Sequence, residues 1–511
     1  MTKSIMFQGT GSHVGKSVLV AAICRILKQD GLAVAPFKSQ NMALNSYVTQ
    51  DGGEMGRAQV VQAEAAGLEP DVDMNPILLK PTGQASSQVI VLGKPIGNLS
   101  ARRYHTEWTK EALGIIQGSW DRLCSKYEAI VIEGAGSPAE VNLKETEIVN
   151  MRIAKMTKSP VILIGDIDKG GVLASLVGTL ELLEPEERDL VAGFVINKFR
   201  GDVSLFQPAI DFLEAKTGKP VLGVVPYFQG FRVQEEDSIP EEGGRPGLER
   251  DMEKVDVAVI RLPHISNFTD FDALQDEPDV QLRYVQKGQK IGKPDLIIIP
   301  GSKNTIEDMV YLEKNGFARE IKQLADGGTP VIGICGGFQI LGTELHDPKG
   351  TESSIPSVKG LSLLDMVTVF EPDKITCQVT GEVIGEGIFL SQVNGQPVTG
   401  YEIHMGRTQL LADTRPAFRL TSRSTKEVDV LDGGVSANGQ VFGTYLHGIF
   451  DNDGLRRHII NTLRLKKGLL PMEEVDGISV KEQREKDFDK LAQVVRDSLN
   501  MNLLYEIMGV R

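Results

Sequence analysis

Cys335 lies in Gly333-Ile-Cys335-Gly-Gly337, between the apolar run Val331–Ile334 and Phe338-Gln-Ile-Leu341. This is the G-x-nucleophile-x-G form of a strand-to-helix elbow with a thiol at its tip. The glycines let the chain turn sharply, and the helix that follows aims backbone N–H groups at a thiolate and at any oxyanion formed beside it. A lone cysteine is most often a small buried apolar residue, so the nucleophile needs a base. Of seven histidines, His13 falls in a glycine loop, His105 in a basic stretch and His458 in a helical one, while His264 and His346 have no catalytic motif around them. His404, in Gly400-Tyr-Glu-Ile-His-Met-Gly406, and His447, in Val441-Phe-Gly-Thr-Tyr-Leu-His-Gly-Ile-Phe450, remain. The second run is the more strand-like and stops sharply at His447-Gly448, so His447 is the expected base, brought to Cys335 by the fold. Gly301, in the turn after Pro294–Pro300, and Gly336 in the elbow are the expected oxyanion donors.

A second centre of chemistry stands at the start of the chain. The strand Ser4–Gln8 runs into Gly9-Thr-Gly-Ser-His-Val-Gly15-Lys16-Ser17, and Val18–Leu27 then has helical spacing. Strand, glycine loop and helix are the context of a phosphate-binding loop. It is a variant loop, because Thr10 occupies the usual first glycine position and Gly9 sits one residue early. Lys16 would reach terminal phosphates and the Ser17 hydroxyl would help hold Mg²⁺. Lys38, Gln40, Asn41 and Asn45 follow the strand Leu32–Phe37 and are placed to meet substrate beyond its carboxyl end. In Asp51-Gly-Gly-Glu-Met-Gly-Arg57 the carboxylates either reach a metal or cap the helix through Ala66. Glu133 ends another apolar strand as a metal or water ligand. Asp166, Asp168 and Asn197-Lys198 end two more, with Asn197 suited to an adenine edge.

These residues need elements that hold them on one edge. Apolar strands at 127–136, 160–166, 190–198 and 220–226 carry polar residues only at their C-terminal ends, which implies a parallel, doubly wound α/β sheet. Residues 1–230 are read as one domain. An acidic linker spans 231–254, with eight acids and three bases over 234–254. A second α/β domain occupies 255–454. A charged tail, 455–511, contains a helix at Lys481–Leu499 for packing or for an interface, and a homo-oligomer is allowed. The 511 residues carry a net charge of −14, which argues against a general nucleic-acid binder. No leader and no membrane span is expected, and four scattered cysteines fit a reducing cytoplasm.

A magnesium-nucleotide domain joined to a thiol acyl-transfer domain suggests a glutamine-dependent ligase. Cys335 would release ammonia from glutamine, and the first domain would use ATP to turn a substrate carboxylate into an acyl phosphate that ammonia attacks. A nucleotide switch of the chromosome-partition type would leave Cys335 and His447 idle, and a simple thiol hydrolase would leave the first 230 residues idle.

The chain resembles the cobyric acid synthase family over essentially its full length. The resemblance is carried by Pro36–Ser46, Asp51–Gln59, Asp73–Pro81, Val131–Ser137, Asp166–Gly171 and Val195–Asp202. In the second half it rests on Ile265–Phe271, Pro300–Thr305, the Cys335 elbow, Tyr401–Gly406 and Thr444–Asp451. The N-terminal half also resembles dethiobiotin synthetase, and the C-terminal half the class I glutamine amidotransferases. What the resemblance implies is ATP- and glutamine-dependent amidation of carboxylates b, d, e and g of adenosylcobyrinic acid a,c-diamide, a corrinoid. It assigns the nucleophile to Cys335 and the base to His447. By analogy with dethiobiotin synthetase, Asp51 and Glu133 would join Ser17 around Mg²⁺, and Lys38 would face substrate or γ-phosphate. The sister a,c-diamide synthase and a ligase amidating a cell-wall precursor are the nearest alternatives. Class I relatives carry an acidic residue two positions after the histidine, where this chain has Ile449. A Cys–His dyad is therefore expected, unless a group elsewhere orients His447.

Overall fold

The computed structural model describes residues 2–81, 86–100, 108–228, 251–472 and 479–510. The expected linker lies outside them except for its last four residues, as do His105 and the basic pair Arg102-Arg103. The chain packs as two compact units. One comprises Met1–Ala43, Glu54–Asp237 and Lys481–Arg511, the other Leu44–Gly53 and Ser238–Val480. The division departs from the sequence boundaries in two places. A ten-residue stretch of the N-terminal half belongs to the second unit, and the tail is shared between the two.

The first unit is built on a six-stranded sheet in the spatial order 221–226, 191–199, 161–166, 3–9, 129–133, 34–37, and every neighbouring pair is parallel. All six are runs read as strands from the sequence, with Val34–Phe37 at one edge. The central strand Lys3–Gly9 has neighbours from later in the chain on both sides, which makes its carboxyl end a topological switch point where α/β sheets bind ligands. The register sets Phe7 opposite Glu133 and Asp166 opposite Asn197, so the polar residues align on one edge. The helix Lys16–Gln29 follows the glycine loop and buries Leu19, Val20, Ile23, Cys24, Ile26 and Leu27. Gln40–Met42, expected in a loop, instead joins a smaller sheet with 77–81, 86–91 and 94–100.

The tail helices Val480–Ser498 and Met501–Met508 place Phe488, Leu491, Val495, Leu504, Tyr505 and Met508 in the same apolar cluster as Ile5, Ile23 and Leu27. Arg25 clamps the first of them through Glu485 and Asp489, at 2.7 Å each. The packing role read for this helix is therefore directed at the first unit's own core.

The second unit has a seven-stranded sheet in the order 280–285, 255–260, 296–299, 331–334, 441–444, 434–436, 414–415. Its first five strands are parallel. Val331–Ile334 is central and wholly buried. A second, mostly antiparallel sheet contains the long strands Met366–Val383 and Pro397–Leu410. No helix among the described residues is long and apolar enough to cross a membrane.

Candidate active site

The strand Val331–Ile334 delivers Cys335 between the parallel strands 296–299 and 441–444. At Cys335 the backbone adopts φ 51°, ψ −107°, a left-handed conformation that costs a non-glycine residue energy and is typical of a nucleophile's turn. The turn closes because its neighbours lack side chains. A Cβ on Gly337 would stand 1.9 Å from the Ile299 carbonyl oxygen, and one on Gly336 would stand 2.8 Å from Ser302 N. The helix Gly336–Ile340 begins at once.

The strand Val441–Thr444 brings up His447, which is 1% exposed. Its Nδ1 donates to Asp270 Oδ2 at 2.7 Å, and Gly448 N donates to Asp270 Oδ1 at 2.9 Å. Cys335 is near enough to act on the charge of the ring, and its Sγ donates to Ile403 O at 3.5 Å. Burial alone would lower the imidazole pKa, but the Asp270 charge and Cys335 outweigh it, and the ring is pushed up to about 10. The pairing with Asp270 thus favours the imidazolium form of His447.

Asp270 replaces the expected dyad by a Cys–His–Asp arrangement. It lies 177 residues before His447, in the short 3₁₀ turn Phe268–Phe271 that opens with Asn267 at φ 52°. Spacing along the chain gave no sign of it, and only its place inside Ile265–Phe271 marked it for notice. His404, the other candidate base, is buried with both ring nitrogens engaged, by Gly406 O at 2.9 Å and Glu402 at 3.3 Å. It stacks on Tyr445 with centroids 3.7 Å apart, and burial, opposed by Glu402, lowers its pKa.

Gly336 follows Cys335 within the elbow and comes up against Ser302, the residue after Gly301. A Cβ on Gly301 would stand 3.1 Å from His447 Cε1, so this backbone comes up against the base itself. Ser302 is fixed by donating its hydroxyl to Asp308 at 2.6 Å, and the other carboxylate oxygen of Asp308 pairs with His264 at 2.8 Å. That gives His264 a positioning partner away from Cys335.

In the first unit the phosphate loop wraps the start of its helix. Gly15 has φ 95°, and a Cβ there would stand 2.1 Å from Asn197 Nδ2; Gly9 is equally closed, 2.5 Å from a Val14 methyl. Lys16 Nζ donates to Gly11 O at 2.9 Å and Gly136 O at 3.2 Å. Asn197 donates to Val14 O at 2.8 Å, so its amide braces the loop, while its Oδ1 has no partner among the described residues.

Glu133, 1% exposed, is the hub of this unit. It accepts from Ser17 at 2.8 Å, Lys38 at 3.0 Å, Gln62 at 2.6 Å and Gln59 at 3.3 Å. Burial would raise its pKa, but the Lys38 charge and these donors hold it below the usual carboxylate range. Asn41 joins the hub by donating to Gln59 at 2.9 Å. Gln40 lies beside it in the short strand. Gln59 and Gln62 are one turn apart on the helix Arg57–Ala66; Gln59 was marked only as the end of the stretch Asp51–Gln59, and Gln62 had no distinguishing pattern in the sequence.

Two expected participants are grouped with the second unit. Asp51 belongs to the second unit, where the Thr49 hydroxyl donates to it. Asn45 is also there, with its side chain spent on Phe268 N. The first unit's own metal candidates are therefore Ser17 and Glu133, a hydroxyl and an ionised carboxylate 2.8 Å apart, an oxygen donor set that suits Mg²⁺.

Comparison with known proteins matches both units. Residues 5–240 match the CobQ/CobB/MinD/ParA nucleotide binding domain, and residues 256–455 the CobB/CobQ-like glutamine amidotransferase domain. The chain is 56% identical to the cobyric acid synthase of Pelotomaculum thermopropionicum over 100% of this chain and 97% of that one. It is 55% identical to that of Moorella thermoacetica over 100% and 98%. The corresponding enzyme of Dehalococcoides mccartyi is 53% identical over the whole of both chains. Two built sites and full-length similarity at this level lead to one conclusion: the chain belongs to the cobyric acid synthase family, glutamine-hydrolysing amidoligases that use ATP.

Proposed function

We propose that the enzyme converts adenosylcobyrinic acid a,c-diamide to adenosylcobyric acid by amidating carboxylates b, d, e and g, with ammonia released from glutamine at Cys335. The observation that carries this reading is Cys335 held at φ 51° against a histidine whose far nitrogen is bonded to a buried aspartate. The Cys335 thiolate attacks the glutamine amide carbon, and the N–H groups around Gly336 and Gly301 receive the negative charge on oxygen. His447 gives its proton to the departing nitrogen, so ammonia leaves and a glutamyl thioester remains. Water then adds, His447 takes its proton, and glutamate departs as the thiolate returns. Throughout, Asp270 keeps the ring turned with Nε2 toward sulfur.

In the first unit, Lys16 neutralises transferring phosphate charge, and the carboxylate that receives the phosphoryl group becomes an acyl phosphate. Ser17 and Glu133 would hold Mg²⁺, which supplies charge neutralisation between phosphates. Lys38, fixed on Glu133 beside Asn41 and Gln40, faces the substrate or the γ-phosphate. Ammonia attacks the acyl carbon and phosphate leaves, giving one amide per ATP. Asn197 Oδ1 is the atom suited to a nucleotide amine.

The test is mass spectrometry of products from ATP, glutamine and the a,c-diamide, which should show four successive replacements of OH by NH₂. Cys335→Ala should abolish glutamine-supported amidation and spare the ammonia-supported reaction. Loss of both would refute the two-site scheme.

A further inference from the structure

In the first unit, the loop that leaves the carboxyl end of the strand Ala129–Glu133 is rooted at both of its ends in the phosphoryl-transfer site. Near its start, Gly136 O accepts from Lys16 Nζ at 3.2 Å. Ala135 is clasped there by the buried Asn150, which accepts from Ala135 N at 3.1 Å and donates to Ala135 O at 2.6 Å. Near its end, Ile148 O accepts from the Ser39 hydroxyl at 2.7 Å, one residue past Lys38. The register sets Phe37 opposite Ile132, so Lys38 and Glu133 leave the sheet side by side on its ligand-binding edge. Between these anchors, Leu143 N donates to Glu140 O at 2.9 Å and Thr146 N to Leu143 O at 3.0 Å, which fixes the 3₁₀ turn Val141–Leu143.

This anchored turn turns apolar side chains to solvent. Val141 is 61% exposed and Leu143 41%, and Met42, four residues past Lys38, is 54% exposed. One exposed apolar side chain is ordinary. Three on the two segments that are tied to Lys16 and Lys38 call for something to cover them. Lys144, the cation next to the turn, is spent on Glu184 and Glu187 at 3.0 Å each. Toward an anionic substrate the turn therefore offers apolar contact and not an ion pair.

We propose that Val141, Leu143 and Met42 are the contact surface for the macrocycle of the corrinoid, holding it by apolar area while one carboxylate arm at a time reaches the site of Lys16 and Lys38. The inference rests on the proposed function and deepens it. A substrate amidated at four peripheral positions must present each of them in turn to the same phosphate loop. Hydrogen bonds and ion pairs to the arms would select one orientation, because they are directional and every amidation removes a charge. Apolar contact is non-directional and scales with the area covered, so it can hold the ring in each of the four orientations. Methionine, unbranched and polarizable, adapts to each of them. Valine and leucine on a turn already fixed by its own hydrogen bonds lose little further freedom when they are covered.

The experiment measures binding of adenosylcobyrinic acid a,c-diamide to the full-length protein by equilibrium dialysis, read from the corrinoid's own visible absorbance. The kinetics of the four amide products are followed in parallel by mass spectrometry. Wild type is compared with the double variant Val141→Ser/Leu143→Ser, with Met42→Ser and with the conservative pair Val141→Ile/Leu143→Met. In the double variant Kd should rise about 5- to 30-fold, and KM should rise by a similar factor at all four steps. Its kcat should stay within about twofold of wild type. Met42→Ser should weaken binding about 3- to 10-fold, and the conservative pair should bind as wild type does. Unchanged Kd and KM in the double variant would overturn the proposal. A rise confined to one of the four steps would overturn it too, because that marks recognition of a single arm. So would a lowered melting temperature or a changed oligomeric state on gel filtration, since the turn would then serve packing or a second copy. A wild type that binds no corrinoid and makes no amide from either nitrogen source refutes the functional reading beneath, whereas wild-type binding that the variants leave unaltered refutes this surface alone.

Discussion

Asp270→Asn removes a charge while keeping a shape. The carboxylate serves two donors, His447 Nδ1 at 2.7 Å and Gly448 N at 2.9 Å. An amide has one acceptor oxygen, so one of those N–H groups must face an NH₂. If Gly448 keeps the oxygen, the ring must turn a bare Nδ1 to the amide; its proton then sits on Nε2, and His447 cannot take one from Cys335. The imidazole is pushed up to about 10 by the Asp270 charge and by Cys335 together. Breaking a buried pair by removing one partner costs about 3–5 kcal/mol. The expected result is a fall in kcat for glutamine hydrolysis of about 10²–10⁴-fold, measured as glutamate release. Ammonia-supported amidation should be unchanged.

The same substitution has a thermodynamic signature. Because the folded pKa is raised, the stabilisation is fully present below about 6.5 and is lost as pH rises through about 10. The melting temperature of Asp270→Asn should therefore lie furthest below wild type under pH 6.5, and the gap should close toward pH 10. Glutamine hydrolysis within about threefold of wild type from pH 6 to 9 would refute the assignment of Asp270.

Lys16→Ala should stop amidation with either glutamine or ammonia, and ammonia-dependent product from this variant would exclude phosphate binding at the loop. Gly337→Ala should cost about 1–3 kcal/mol or more by denaturant melt, because its Cβ meets backbone that cannot move aside. Leu491→Ala empties a fully buried position in the first unit's core; a loss of about 2–5 kcal/mol in chemical unfolding is expected, and a loss below about 1 kcal/mol would make the tail an accessory.

The elbow was legible because its chemistry is local. Strand, glycines, thiol and helix follow within a dozen residues, and backbone sterics alone demand the glycines. The phosphate loop was legible for the same reason, and so were the buried strands, whose apolar runs end in single polar residues. Asp270 was not, since nothing in the spacing between a turn at 268–271 and a strand end at 447 says that they meet. Gln62 had no pattern at all and Gln59 only its place in Asp51–Gln59, and their meaning came when both were found donating to Glu133.

The tail shows the same limit from the packing side. Its helical period was plain, but periodicity records an apolar face and not the partner that covers it. Asp51 and Asn45 show it for chain path: a run of ten residues in the N-terminal half crosses to the other unit, and no local signal marks the crossing. By itself, then, the sequence marked the cysteine elbow, the strand end that carries His447, the glycine loop and the two parallel sheets, because each is governed by short-range geometry. Only the tertiary structure decided what orients His447, which side chains surround Glu133 and where Leu44–Gly53 belongs. Those are long-range choices, set by which buried polar groups can satisfy one another once the sheets have formed.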